Sequence, residues 1–289
     1  MKPNIFCCPY CHGDLVFEDG YRCDNCSLVF PYKHDIYYFF NPDTPHWQKV
    51  MDIERYNLKT YSKPSVDMDE LEKTKVYEVY HEYQGEPHKS AQLYLPAQAN
   101  AALLNYAFDI MQKPLKEEDD SCIITIGARS FWDSYFLARY KPVIAVDVVD
   151  DTRYINPDYA KGITRVVADG MYLPLKEGIA SIIYMNATFH HMEDKERALR
   201  TWYRVLKPSG MVVATGEYRS PPEQKGSRDF EGEYSYTLDD FIKLVDGSQF
   251  SAGALFPFSY CENMEYKMGI ELTGNPDNGI IVLIKKDVE

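Results

Sequence analysis

The sequence lacks long apolar runs and an apolar leader. Its longest uninterrupted apolar runs, such as Ile280–Ile284, fall far short of the roughly 20 residues that a membrane helix needs. The first residues, MKPNIFCCPYC, contain no apolar stretch of the kind that a secretory signal has. These absences predict a soluble protein of the cytoplasm with no membrane partner.

Basic residues are also in the minority. The chain has 31 Lys and Arg against 44 Asp and Glu, which gives a net charge of −13. A protein that neutralises many phosphates normally has a basic face, and no cluster of Lys and Arg is visible in the sequence. The clearest run of charges, KEEDD at residues 116–120, is mostly acidic. This balance disfavours nucleic acid as a substrate without excluding a local basic groove.

Cysteine, in contrast, is concentrated at one end, because five of the seven lie within the first 26 residues. Cys8 and Cys11 are separated by two residues, and so are Cys23 and Cys26. Two such turns supply the four soft ligands that zinc takes in a tetrahedron. Disulfides are disfavoured in a chain without a secretion signal. We therefore predict a small zinc ribbon, which the metal would help to fold because so short a segment buries little surface.

Three neighbouring residues could compete as zinc ligands. Cys7 adjoins the first knuckle, and His12 and His34 could replace a thiolate. The four spaced cysteines already complete the shell, so we expect Cys7 to be a bystander. A closed shell of four thiolates leaves no open position for chemistry, and the ribbon is therefore predicted to be structural or to recognise a partner.

A different pattern begins at Cys122, where apolar runs bounded by turn residues alternate with helical segments. The alternation predicts βαβ units and an α/β fold with a doubly wound, mostly parallel sheet. The predicted strands are Ile123–Ile126, Val143–Val146, Thr164–Val167, Ser181–Met185 and Met211–Thr215, with later strands near Leu255–Tyr260 and Gly279–Ile284. The predicted helices are Phe131–Tyr140, Lys195–Leu206 and Leu238–Val245, preceded by helices at Asp67–Gln84 and Leu95–Gln112.

Ligands of such sheets bind outside the carboxyl ends of the strands, where the strand order reverses. Gly127, Asp147, Asp169 and Asn186 each follow a predicted strand, so we expect these four residues to lie together. The loop after the first strand, IGARSF, keeps only the first glycine of a G-x-G-x-G loop, Gly127, because Arg129 and Phe131 stand at the second and third glycine positions. Because a pyrophosphate needs close approach of a glycine backbone, this loop disfavours NAD and FAD.

Five segments together resemble the Rossmann-like, class I S-adenosylmethionine-dependent methyltransferases, in some of which an N-terminal zinc ribbon also occurs. The resemblance covers about residues 123–216. The segments are ITIGARSFW, AVDV, VVADGMYLPL, IIYMNATFHHMED and RVLKPSGMVVATGE. The resemblance implies a seven-stranded sheet of the methyltransferase type, preceded by the ribbon and a helical segment. It divides the chain into a ribbon at residues 1–40, a linker and helical segment covering the active site at 41–118, and the methyltransferase domain at 119–289.

The resemblance also implies a role for residues at each strand end. Asp147 would accept the ribose hydroxyls of S-adenosylmethionine, with Val148 beside it, and Asp169 would accept the adenine amino group. A turn or helix cap is the competing role for Asp169. The remaining implied cofactor residues are Gly127, Ala128, Arg129, Gly170, Met171 and Asn186. Of these, Arg129 could bind the cofactor carboxylate or face solvent. Thr125 stands where an acidic residue often binds the cofactor amino group.

The remaining chemistry points to two histidines. Methyl transfer to oxygen or nitrogen can need a base, and His190 and His191 follow the fourth strand. The alternative is that one histidine caps the next helix and the other is buried or solvated. Glu217 and Glu233 could also line a substrate cavity.

Three functions are therefore open at this stage. The first is methyl transfer to an O, N or C atom of a small molecule, with structural zinc in the ribbon. The second is methylation of RNA or protein, with the ribbon gripping the substrate. The third is a silent binding module, because the glycine loop is incomplete. The acidic balance favours the first.

Overall fold

A computed structural model describes residues 4–41, 47–51, 95–128, 131–150, 160–218, 238–263, 267–272 and 278–285. Arg129, Glu233 and the helix predicted at residues 67–84 lie outside the described residues. No helix within the described ranges combines the length and the apolar character needed to cross a bilayer.

The described ranges contain a short helical turn at residues 47–51, a 3₁₀ turn at Phe189–His191 and the following longer elements. The helices are α1 (Leu95–Lys116), α2 (Trp132–Leu137), α3 (Lys195–Val205) and α4 (Leu238–Asp246). The strands are β1 (Leu15–Phe17), β2 (Gly20–Cys23), β3 (Leu28–Lys33), β4 (Ile36–Tyr38), β5 (Cys122–Ile126), β6 (Val143–Asp147), β7 (Ile163–Val167), β8 (Ala180–Asn186), β9 (Leu206–Tyr218), β10 (Phe250–Asn263), β11 (Lys267–Leu272) and β12 (Asn278–Lys285).

These strands form one sheet in the order β1-β2-β3-β4-β7-β6-β5-β8-β9-β12-β10-β11. The five strands β7-β6-β5-β8-β9 pair in parallel, and β12 runs antiparallel to both of its neighbours, β9 and β10. Chain order reverses between β5 and β8, which makes this the switch point of a doubly wound sheet. The predicted fold class is confirmed, since the seven expected strands are present and all but β12 run in the same direction.

The two sides of the sheet bury separate hydrophobic clusters because successive strand residues point to opposite faces. Ile123, Ile182 and Val213 face the helix α1 with its buried Leu103 and Met111. Their immediate neighbours Ile124, Ile183 and Val212 face the other layer, where α3 contributes Ala198, Leu199, Trp202 and Val205. All residues of β5 and β6 are buried, as expected for strands covered on both faces.

The N-terminal strands belong to the same sheet. Strand β4 pairs in parallel with β7, with Tyr38 opposite Val167. The pairing continues through Phe39, whose N–H donates to the carbonyl of Val167 at 2.8 Å. On the other side, Phe6 packs against Tyr21, Tyr37 and Phe39 with ring centroids 4.8–5.4 Å apart. Backbone hydrogen bonds thus join the ribbon region to the α/β sheet, and the aromatic contacts pack the ribbon region itself.

Candidate functional site

The four residues predicted to meet at the carboxyl edge do follow adjacent parallel strands. Gly127 follows β5, Asp147 ends β6, Asp169 lies just beyond β7 and Asn186 ends β8. Backbone hydrogen bonds tie these positions to neighbouring strands. The N–H of Gly127 donates to Val146 at 3.0 Å, and the carbonyl of Asp147 accepts from Ala168 at 2.9 Å. The sheet therefore gathers the predicted cofactor residues at one edge.

In the loop after β5, residue 127 must be glycine for steric reasons. Its φ is +75°, and a Cβ added there would lie 2.2 Å from Oγ1 of Thr188 in the loop after β8. Only glycine combines this dihedral with so close an approach. The first glycine of the motif thus allows the loops after β5 and β8 to touch.

Phe131, which stands where a G-x-G-x-G loop has its third glycine, is part of the hydrophobic core. Its side chain is fully buried and packs with Ala128 and Ala145, next to Tyr135 and Ile163. Because Tyr135 lies on α2 and Ala145 on β6, the ring fills the layer between helix and sheet. Its φ of 62°, uncommon for an aromatic residue, is the backbone conformation from which α2 begins.

Asp147 stands at the start of the loop after β6, whose first residues are held by hydrogen bonds. The carboxylate is 9% exposed, and its Oδ1 accepts a hydrogen bond from the N–H of Val149 at 3.1 Å. Asp150, three residues after Asp147, accepts a hydrogen bond from the hydroxyl of Tyr38 at 3.1 Å. Val148 packs against a cluster formed by Ile36, Tyr38, Trp47 and Val167. The loop after β6 is held both internally and by the ribbon.

Asp169 caps a turn at the next strand end. Its Oδ1 accepts from the N–H of Met171 at 2.7 Å, and the residue is 8% exposed. Gly170 between them has no room for a side chain, because an added Cβ would lie 2.7 Å from Ile126 and 2.8 Å from Met192. The turn-capping role that competes with adenine binding is therefore present in the structure.

Glu217, near the end of β9, holds the loop after β8 through hydrogen bonds. Although it was expected to line a substrate cavity, its side chain is completely buried. Its carboxylate accepts hydrogen bonds from the N–H groups of Thr188, Phe189 and His190 at 2.9–3.1 Å. Burial by itself raises the pKa of Glu217, but His190 and these donors outweigh burial and hold the pKa below its ordinary value. Sequence reasoning missed this role because the donors lie 27–29 residues earlier.

The two candidate histidines have different environments. His190 is 3% exposed and its Nδ1 lies 3.1 Å from Oε2 of Glu217, whereas His191 is exposed to solvent. The two imidazole rings are 4.3 Å apart between centroids. Asn186 lies at the base of the same loop, with its Oδ1 accepting from the hydroxyl of Thr215 at 3.1 Å.

A buried acid that sequence reasoning missed, Asp133, lies in the first turn of α2. It is 3% exposed, and its Oδ1 accepts from the N–H of Ser134 at 2.7 Å. The hydroxyl of Ser134 is in turn 2.7 Å from that of Thr125 on β5. Burial raises the pKa of Asp133 to about 6. A single acidic residue in an amphipathic stretch carries no sequence signal of burial, so nothing in the pattern could have singled it out.

The four spaced cysteines form a compact cluster. The sulfur atoms of Cys8, Cys11, Cys23 and Cys26 all lie within 4.8 Å of one another. The Sγ atoms of Cys8 and Cys26 are 3.9 Å apart, and those of Cys11 and Cys23 are 3.5 Å apart. A tetrahedron with Zn–S bonds of about 2.3 Å has edges of about 3.8 Å, so the donor set fits zinc.

Cys7 has a separate contact. Its thiol donates to the carbonyl of Leu175 at 3.1 Å, and its N–H donates to the carbonyl of Pro174 at 3.0 Å. These bonds fasten the segment before the first knuckle onto the segment after Met171. Cys7 lies outside the four-sulfur cluster, as expected for a bystander.

A cleft of about 560 Å³ lies at the opposite, amino edge of the sheet, and its lining includes Asp119, Cys122, Thr164 and Lys207. Its charged groups pair with one another, since Lys207 contacts both Glu117 and Asp119. Ligands of doubly wound sheets bind at the other edge, so size alone does not make this cleft the functional site.

Comparison with solved structures finds similar folds. The 1,6-didemethyltoxoflavin-N1-methyltransferase of Burkholderia thailandensis has 14% identity over 78% of this chain and 92% of its own, with a TM-score of 0.48. The YcgJ protein of Bacillus subtilis has 14% identity over 63% of this chain and 99% of its own, with a TM-score of 0.45. A SAM-dependent methyltransferase of Thermotoga maritima has 15% identity over 68% and 97%, with a TM-score of 0.46. Likenesses of this size say nothing about the substrate of this chain.

Comparison with curated proteins gives no match. In the comparison with protein families, residues 126–214 match a family described as a methyltransferase domain. The matched range runs from the end of β5 into β9 and includes Gly127, Asp147, Asp169 and Asn186, the residues that the sheet gathers at its carboxyl edge. Residues 126–214, which form much of this doubly wound sheet, are therefore similar to a methyltransferase domain.

Proposed function

We propose that this protein is an S-adenosylmethionine-dependent methyltransferase that transfers a methyl group to an oxygen, nitrogen or carbon nucleophile of a small molecule in the cytoplasm. The observation that supports the proposal most directly is the carboxyl edge of the sheet. There Asp147 and Asp169 present nearly buried carboxylates on neighbouring strands, with Gly127 and Gly170 at positions where a side chain would collide. The net charge of −13 argues against a polyanionic acceptor.

The residues at this edge suit the parts of the cofactor. Asp147 would accept hydrogen bonds from the ribose hydroxyls, and Asp169 with Gly170 and Met171 would border the adenine ring. Gly127, Ala128, Arg129 and Asn186 would surround the aminoacyl end, and Val148 would lie beside the ribose. When bound, S-adenosylmethionine supplies an electrophilic methyl group on its sulfonium. The contribution of the protein is chiefly alignment, because displacement needs the nucleophile held in line with that group.

Of the two histidines that we propose for catalysis, His190 is the one with an orienting partner. If its Nδ1–H donates to the Glu217 carboxylate, its Nε2 is the nitrogen that accepts a proton. This is the arrangement in which a carboxylate fixes the tautomer and direction of an imidazole base. The exposed His191, whose ring lies against that of His190, would then meet the acceptor from solvent.

We propose further that the cluster of Cys8, Cys11, Cys23 and Cys26 holds structural zinc. The sulfur separations described above suit tetrahedral coordination by four thiolates. A site of this kind needs reduced thiols, which accords with a reducing compartment. With all four positions filled by protein ligands, the metal would stabilise the ribbon and take no part in methyl transfer.

Titration of zinc-loaded protein with S-adenosylhomocysteine in a calorimeter tests cofactor binding, and we expect binding at one site per chain. The Asp147→Ala variant should bind markedly more weakly with an unchanged unfolding temperature. The exposed Asp120→Ala, at the opposite edge of the sheet, serves as the matched control and should bind like the wild type. Absence of binding by the folded wild type would favour the silent binding module instead.

The acceptor class needs a separate measurement. Protein incubated with methyl-labelled S-adenosylmethionine and a cell extract separated into small molecules, RNA and protein should label the small-molecule fraction. The His190→Gln and His191→Gln variants should lower that labelling, most strongly for the histidine that acts as base. Label confined to RNA or protein would contradict the proposed acceptor and would leave the methyltransferase assignment intact.

A further inference from the structure

The N-terminal ribbon lies along the same edge of the sheet as the candidate cofactor residues. Strand β4 runs parallel to β7, so its carboxyl end emerges beside the loop that carries Asp169. The chain then continues through Asn41, and residues 47–51 form a helical turn near the same edge. This placement raises the question of what the ribbon contributes to the loops that would hold the cofactor.

The first contact is made by Tyr38, the last residue of β4. Its side chain is 4% exposed, and its hydroxyl donates to Oδ2 of Asp150 at 3.1 Å. Asp150 lies three residues after Asp147, in the segment in which the N–H of Val149 also donates to the Asp147 carboxylate. The Tyr38 hydroxyl therefore holds the segment that begins with the proposed ribose partner.

The second contact is apolar. Trp47, from the helical turn after the ribbon, is 3% exposed and packs with Ile36, Tyr38 and Val167. Val148, the residue immediately after Asp147, packs against this cluster. Burial of these side chains removes conformations in which the loop would swing away from the sheet.

The third contact involves the zinc knuckle itself. Tyr10 lies between Cys8 and Cys11, and its hydroxyl accepts a hydrogen bond from the N–H of Asn41 at 3.1 Å. Its ring is 6.1 Å from that of Tyr172, whose N–H donates to the carbonyl of Asp169 at 2.9 Å. The knuckle thus also contacts the turn proposed to border the adenine.

We propose that the ribbon forms a fixed wall of the cofactor site and that Tyr38 is a positioning residue, which holds the loop from Asp147 to Asp150 for the ribose of S-adenosylmethionine. The inference rests on the proposed function. A loop that is already ordered before binding loses less conformational entropy when the ligand arrives. The Tyr38–Asp150 hydrogen bond would therefore raise the affinity for S-adenosylmethionine. Zinc would serve the cofactor indirectly, by keeping the knuckle and the β3–β4 hairpin folded.

The test compares Tyr38→Phe with Tyr32→Phe in the zinc-loaded full chain, with S-adenosylhomocysteine as the probe in calorimetry. Both substitutions delete one hydroxyl from the same hairpin, but the Tyr32 hydroxyl bonds to Asp35, away from the sheet edge. Loss of one hydrogen bond to a carboxylate predicts about fivefold weaker binding for Tyr38→Phe. We expect Tyr32→Phe to bind like the wild type.

Asp150 supplies the reciprocal variants. Asp150→Ala should weaken binding as much as Tyr38→Phe, and the double variant should be no weaker than either single one, because both remove the same bond. Asp150→Asn keeps an oxygen that accepts from the Tyr38 hydroxyl and should restore most of the affinity, which a general loss of stability would not do.

The outcomes separate the two proposals. If the wild type binds and Tyr38→Phe binds equally well, the positioning role is wrong and the proposed function stands. A Tyr32→Phe variant as weak as Tyr38→Phe would also overturn the positioning role, since it would reveal a general effect of the hairpin. If the folded wild type does not bind S-adenosylhomocysteine, both proposals fail together.

Discussion

The carboxylate of Glu217, at the end of β9, lies 3.1 Å from Nδ1 of His190 and is surrounded by three backbone N–H donors of the loop after β8. A buried charge of this kind is tolerated because every partner is a donor. The relationship ties the proposed base and the loop that carries it to one side chain. It also provides the first of four predictions.

Replacing Glu217 with Gln should destabilise the fold by about 2–4 kcal/mol, because the amide is neutral and turns an NH₂ group toward donors. Denaturant unfolding measures the loss. The exposed Glu196→Gln serves as control and should leave stability unchanged. Because the folded pKa of Glu217 is lowered, its contribution is full above about pH 4.3, the ordinary value, and declines as the pH falls below it. A constant difference between wild type and variant at all pH values would contradict the charged state.

Gly127→Ala should cost about 2 kcal/mol or more, because it combines a positive φ with a Cβ 2.2 Å from Oγ1 of Thr188. Gly162→Ala is the matched control, with a φ of +77° and nothing within 4 Å of its added Cβ. The Gly162→Ala control therefore measures the cost of placing alanine at a positive φ alone, which is about 1 kcal/mol. Adding Thr188→Ala to Gly127→Ala should recover part of the loss. Equal unfolding free energies for the two glycine variants would rule out the steric contact.

Cys23→Ser should abolish stoichiometric zinc, measured by elemental analysis of the purified protein, and lower the unfolding temperature. The reason is that three thiolates no longer complete the tetrahedral shell on which the ribbon depends. Cys7→Ser should keep its zinc, since the Cys7 sulfur bonds to Leu175 instead. Zinc loss in the Cys7 variant with retention in the Cys23 variant would reverse the ligand assignment.

Asp133→Asn should stabilise the protein increasingly as the pH rises. Burial raises the pKa of Asp133 to about 6, against about 3.9 in an unfolded chain, so the folded state favours the protonated acid. Its stability contribution is full below about pH 3.9 and is lost as the pH rises through 6. The neutral amide avoids this loss, which predicts a gain of about 1–3 kcal/mol at pH 8 and little at pH 4.

Thermal unfolding from pH 4 to pH 8 gives this comparison directly. The exposed Asp120→Asn provides the reference and should show no gain that grows with pH. A wild type and an Asp133→Asn variant whose unfolding temperatures differ equally at pH 4 and pH 8 would show that the acid is ionised throughout.

The local parts of the fold could be predicted because each has a local cause. The strands β5, β6 and β8 are apolar runs ending in Gly or a polar residue, and α3 has an apolar stripe with the N-cap Asp194. The cluster of four cysteines follows from their spacing alone. Strand β9 begins earlier than predicted, at Leu206, because Leu206 pairs with Ala180 of β8 before the register shifts to the pair of Met211 and Ile182.

The long-range parts could not be predicted in this way. The parallel pairing of β4 with β7 joins residues about 130 apart in the chain, and nothing in Ile36–Tyr38 specifies that partner. Strand β11, which pairs with β10, is missing from the predicted strands, although Met268, Ile270 and Leu272 alternate along it. The hydrogen bonds of Glu217 and the burial of Asp133 likewise depend on which residues the assembled sheet brings next to them.

One hydrogen-bonded sheet from β1 to β11 has a consequence for how the molecule comes apart. Since β4 shares its backbone bonds with β7, the described strands give the segment that carries the four cysteines no boundary at which it could separate while the α/β layers persist. Removal of a metal held by the four cysteines would then destabilise the neighbouring strands as well, and heating should give a single concerted unfolding transition instead of an early melting of the N-terminal strands.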